Sequence, residues 1–141
     1  MKPFEILGRN FNEVKDILNH SGIDGVFDEL EEDEEQEYSV SAEDGSWEIS
    51  LGEGDVIETI FLYNPDTFKD TLEFDSSSPL SAIEKLYGPI SRNGQQTYDE
   101  CLGEIGAWER FDNTEYSLHI EHNFNSPRIK TVTIMLPEIA P

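Results

Sequence analysis

Residues 129–136, Ile-Lys-Thr-Val-Thr-Ile-Met-Leu, and residues 56–63, Val-Ile-Glu-Thr-Ile-Phe-Leu-Tyr, each carry a single charged side chain. A strand with one face in water alternates apolar and polar residues. A strand without that alternation is covered on both faces, as in the middle of a sheet. Residues 56–63 therefore read as a central or covered strand, and residues 129–136 as a closing strand that is apolar at nearly every position. They also align residue by residue, Ile57 to Tyr63 against Ile129 to Met135. Any two buried strands rich in Ile and Thr look alike, so a duplicated unit of one helix and three strands is one reading and coincidence the other.

The flanking segments supply partners for both runs. Tyr38 to Ala42 and Trp47 to Leu51 alternate strictly, and Asp44-Gly45 between them is a turn dipeptide. Gly52 and Gly54 mark a second turn, and Asn64-Pro65-Asp66 a third. Thr71 to Phe74 reads as a short further strand, and Ile90 to Thr97 as a loop or weak strand. Near the end, Gly106 to Phe111 forms a short extended run, and Tyr116, Leu118, Ile120 and His122 share one strand face. Two helices are expected. From Asn10 to His20, Phe11, Val14, Ile17 and Leu18 fall on one face, with Asn10 and Glu13 placed for a capping box. In the second, Ser78 caps, Pro79 opens the helix, Leu80, Ile83, Leu86 and Tyr87 form the stripe, and Gly88-Pro89 ends it. The expected architecture is one α+β domain over residues 1–141, with antiparallel sheet and one helix in each half.

Charge is distributed unevenly over this frame. Against nine Lys and Arg stand 31 Asp and Glu, a formal net charge of -22. Residues 1–75 hold 22 acids and four bases, and residues 76–141 nine acids and five bases. Asp28 to Glu37 alone has eight acids in ten residues, and like charges at helical spacing oppose a packed helix there. Nucleic acid and anionic lipid would be repelled by such a surface, whereas a basic partner would be steered towards it. One cysteine, Cys101, permits no internal disulfide and fits a reducing compartment. The start of the chain lacks the apolar core of a signal peptide, and no run approaches the ~20 apolar residues of a membrane span. A cytoplasmic monomer is the expectation.

No catalytic arrangement emerges. His119 and His122 are three apart on a strand, so they point to opposite faces and cannot share an ion. Cys101 lies between Glu100 and Glu104, whose charges disfavour a thiolate. Phosphate loops, nucleophile elbows and dinucleotide fingerprints are absent from the sequence. Neither a metal nor a cofactor is expected. The aromatics Trp47, Trp108, Phe61, Tyr63 and Tyr116 lie in strands, where core packing is the default. An exposed aromatic beside the acids would instead mark a protein-binding face.

At VIETIFLY, SPLSAIEKLYGPI and YSLHIEHNFNSPRIKTVTIML the chain resembles bacterial immunity proteins, which neutralise toxins of interbacterial competition, including contact-dependent growth inhibition and pyocin-like systems. The likeness lies in a helix ending Leu-Tyr-Gly-Pro and in the closing pair of strands. It implies a non-enzymatic, cytoplasmic inhibitor of one cognate toxin, commonly a basic nuclease. The acid-rich segment supplies the expected contact residues: Asp28, Glu29, Glu31, Glu32, Asp33, Glu34, Glu35 and Glu37, with Asp44, Trp47, Glu53 and Asp55 nearby. Three other classes stay open. A nucleic-acid mimic requires carboxylates spaced like phosphates on one face. An adaptor requires a large exposed apolar patch, and a concealed enzyme a deep pocket with convergent polar groups.

Overall fold

The computed structural model describes residues 2–20 and 38–141. The runs read as strands, Thr71 to Phe74 apart, form a sheet whose pairings are all antiparallel. Strands β1 (Tyr38–Ser41), β2 (Trp47–Leu51) and β3 (Ile57–Leu62) make one meander. A second consists of β7 (Trp108–Asp112), β8 (Ser117–His122) and β9 (Ile129–Met135), with the short β4 (Arg92–Gly94) on its outer edge. The sheet order is β1-β2-β3-β9-β8-β7-β4. The two non-alternating runs thus pair with each other at the centre, Ile60 opposite Ile134 and Leu62 opposite Val132. Each half contributes one contiguous side of the sheet, whichever origin their likeness has.

One sheet face carries the hydrophobic core. Ile49, Ile60, Ile134 and Leu118 form a cross-strand row, flanked by Trp47, Leu62, Val132 and Ile120. Helices α1 (Pro3–Ile6), α2 (Phe11–His20), α3 (Lys69–Leu72) and α4 (Leu80–Tyr87) cover it with Ile6, Val14, Leu18, Leu72 and Ile83, all buried. Truncating one of these aliphatics to Ala would cost about 2–5 kcal/mol. Phe4, Phe74, Tyr87 and Phe111 close the far end as an aromatic cluster, and Tyr87 donates its hydroxyl to the Leu72 carbonyl.

Local differences from the sequence reading have identifiable causes. The expected strand at Thr71 to Phe74 is helical up to Leu72, because Pro65–Phe68 starts a 3-10 turn that α3 continues. Glu73, at a φ of 64°, ends it. In α4, Pro79 is the cap and Leu80 the first helical residue. The Ser78 hydroxyl faces the other way and accepts from the Asp75 amide. Leu86 lies outside the buried stripe and is exposed. Asn10 caps α2 as expected, its Oδ1 accepting from the Asn12 amide at 2.9 Å. Beyond the expected elements, β5 (Thr97–Asp99) and β6 (Gly103–Ile105) form a separate two-stranded ribbon.

Candidate functional site

The sheet order converts the uneven sequence charge into an uneven surface. Residues 38–63, which make the β1–β3 side, carry six carboxylates and no Lys, Arg or His. The other side carries Arg92, Arg110, Arg128, Lys130, His119 and His122 among its acids. The acids expected to bind a partner are not gathered in one place. Asp44 is exposed in the β1–β2 turn, its carboxyl held below the usual range by the Ser46 hydroxyl and amide. Glu53 and Asp55 occupy the turn at the opposite end of β2, roughly 16 Å of strand away. That second turn is fixed to the start of α2: Asn10 donates to the Gly54 carbonyl and Asn12 to the Asp55 carboxylate. Tyr38 pairs with Leu51, so the described chain resumes at this same end. Asp28, Glu29, Glu31, Glu32, Asp33, Glu34, Glu35 and Glu37 lie outside the described residues. Trp47, expected among the contact residues, faces inward instead. Its side chain is buried in the core opposite Leu62, so it presents no surface to a partner.

The sheet face turned away from the helices holds a different set of groups. A row runs across it from Glu48 through Phe61, Thr133 and His119 to Arg110. On the acidic side, Tyr63 is 47% exposed, stacks on Phe61 with ring planes 3° apart, and donates to Glu48 at 3.1 Å. Partial burial, then the Glu48 hydrogen bond and charge, push the Tyr63 phenol up to about 12. On the other side, the Trp108 indole lies over Gly94, where any Cβ would collide with it. The buried Arg110 guanidinium lies 3.0 Å from Asp112 and donates to the Pro141 carbonyl at 2.6 Å. The last residues are thereby tied down beside this face. Asp112 is held below the ordinary carboxylate range by the Ser117 hydroxyl first and Arg110 second.

The two histidines diverge as strand geometry requires. His119 shares a face with Arg110; His122 lies on the helix side and is buried. The His122 Nδ1 is 2.7 Å from the Pro127 carbonyl and its Nε2 contacts Glu109 Oε2. A carbonyl only accepts, so Nδ1 carries a proton. The second contact then needs one more, on the ring or on the carboxyl. This pair lines a cavity of about 500 Å³ with Ser78, Leu80, Pro127 and Arg128. No local sequence signal singles out the pairing of Glu109 with His122. The two are distant in sequence and adjacent only through the β7–β8 ladder.

Among the described residues no three His, Cys, Asp or Glu side chains are grouped as a metal would require. No helix among them is long and apolar enough to cross a membrane. No known protein family, curated protein or solved structure matches the chain.

Proposed function

We propose that this protein is a non-catalytic, acidic inhibitor that binds a basic protein, in the manner of an immunity protein against a cationic toxin such as a nuclease. The observation that carries the reading is the β1–β3 side of the sheet, whose own residues 38–63 carry six carboxylates and no Lys, Arg or His, with the half-exposed Tyr63 among them. A basic groove that holds phosphates with Lys and Arg complements such a surface. Long-range attraction of this kind can raise association to on the order of 10⁸–10⁹ M⁻¹s⁻¹ at low salt. Affinity then rests on a few desolvated anchors, and Tyr63 on its Phe61 platform has the composition of one.

A test is co-expression with the toxic C-terminal domain of a secreted protein encoded beside this gene. The proposal predicts restored growth and a stoichiometric complex on gel filtration. Unrelieved toxicity with no complex at low salt would refute it. The nucleic-acid-mimic reading is less well supported, because Asp44 and Glu53–Asp55 lie at opposite ends of β2 rather than in a phosphate-like series.

A further inference from the structure

The β5–β6 ribbon is the outer continuation of the β4–β7 ladder. Gly94 pairs with Trp108 in the sheet, and beyond it Thr97 pairs with Ile105 and Tyr98 with Glu104. The ladder breaks at Gly106, where a Cβ would collide with the His122 carbonyl, so the chain runs too close to β8 for any side chain. Residues 95–102 are exposed throughout. Tyr98 is 69% and Leu102 78% accessible, the two most exposed large apolar side chains among the described residues.

Hydrogen bonds brace this display at its tip and its base. The Asp99 Oδ1 accepts from both the Cys101 and Leu102 amides, at 2.8 and 2.9 Å, and these bonds hold the carboxyl below its usual range. Gly103, paired with Asp99 and at a φ of 81°, takes the left-handed conformation that closes the loop. At the base, Gln96 and Asn125 exchange two hydrogen bonds, Gln96 Nε2 donating to Asn125 Oδ1 and the Asn125 amide to Gln96 Oε1. A fold gains nothing by ordering a loop that leaves a tyrosine and a leucine in water. Preorganised apolar groups of this kind lower the entropic cost of binding. The charge around them selects the partner: Thr97 to Ile105 contains Asp99, Glu100 and Glu104 and no basic residue. Anionic lipid and nucleic acid are disfavoured, while an apolar cleft rimmed by Lys or Arg fits.

We infer that the β5–β6 ribbon is the insertion element of the complex, placing Tyr98 and Leu102 in an apolar cleft on a basic protein while Glu100 and Glu104 meet its basic rim. This rests on the basic-partner reading above and adds a second anchor, on the opposite side of the sheet from Tyr63. The acidic β1–β3 side steers; the ribbon holds.

The experiment immobilises the full chain, recovers bound proteins from producing cells at low salt, and purifies each identified protein for binding kinetics. Against that purified protein, Tyr98→Ala and Leu102→Ala are expected to speed dissociation on the order of 30-fold for at least one of them. Association should hardly change. Asp99→Ala keeps both apolar groups but loosens the turn, and is expected to weaken binding while leaving the melting temperature of the domain unchanged. If a basic protein binds the parent and all three variants equally well, the ribbon is not the anchor and only this inference fails. If nothing basic binds the parent, the basic-partner reading fails and the ribbon's role with it. Flotation of the parent with phosphatidylcholine vesicles, lost in Leu102→Ala, would instead identify a lipid surface and overturn the proposal.

Discussion

The imidazole of His119 lies flat against the indole of Trp108, ring centroids 5.1 Å apart and planes 19° apart, on the sheet face opposite the core. The two are diagonal neighbours on adjacent strands, β7 and β8, which brings large side chains into contact. Burial lowers the His119 pKa from its ordinary 6.5; Arg110 lowers it further, against opposition from Glu121 and Glu109. The folded chain thus resists a proton that the unfolded chain accepts near pH 6.5. Its stability contribution is complete above that pH and is lost as pH falls towards the folded value. Urea unfolding at pH 7.5 and 5.5 should show parent stability falling over this interval more than that of His119→Gln. Equal falls in both proteins would contradict the assignment. The depressed carboxyls of Asp66, Asp75 and Asp112 act in a separate window, below about pH 4.

The Glu109–His122 pair predicts an asymmetric pair of substitutions. His122→Ala leaves the largely buried Glu109 carboxyl without its partner and should destabilise the fold by about 3–5 kcal/mol. Glu109→Gln keeps the shape, and its amide N–H can donate to Nε2 without the extra proton, so it should cost less. Denaturant titration of both variants checks the order. A Glu109→Gln loss equal to or above that of His122→Ala would show that the ionic form is what the fold requires.

Gly106 and Gly52 separate backbone from side-chain crowding. At Gly106 a Cβ meets the His122 carbonyl, which the β8–β9 ladder holds in place; at Gly52 it meets only the flexible Glu58 side chain. Gly106→Ala should therefore cost roughly 1–3 kcal/mol by overpacking, and Gly52→Ala distinctly less, as read from thermal or urea midpoints. Similar losses at both sites would contradict this account of the ribbon's base.

Much of the fold was legible because its signals are local. Strict alternation marks β1 and β2, the lack of alternation marks β3 as a central or covered strand, and Asp44-Gly45 marks the turn; that β9 lies beside β3 emerges only from the fold. The misreadings lie where a long-range partner decides. Thr71 to Phe74 has strand-like composition, yet the turn begun at Pro65 winds it into a helix. Trp47 has the profile of an interface residue but faces inward opposite Leu62. Nothing local marks Tyr98 and Leu102, which follow the loop or weak strand read at Ile90 to Thr97, because exposure of a hairpin depends on what fails to cover it. The Glu109–His122 contact depends on strand register, which no short window of sequence contains.

Salt dependence of association with the purified partner, for the parent and for Glu48→Gln/Glu53→Gln/Asp55→Asn, tests the central claim most directly. Each variant is first checked for an unchanged circular dichroism spectrum and melting temperature. If the acidic β1–β3 side steers a basic partner, parent association should fall about tenfold or more between 50 and 500 mM NaCl. The triple variant should associate more slowly at low salt and with a flatter dependence, while its dissociation rate stays close to the parent's. Association that is independent of salt in the parent, or identical in the two proteins at both salt concentrations, would contradict the account.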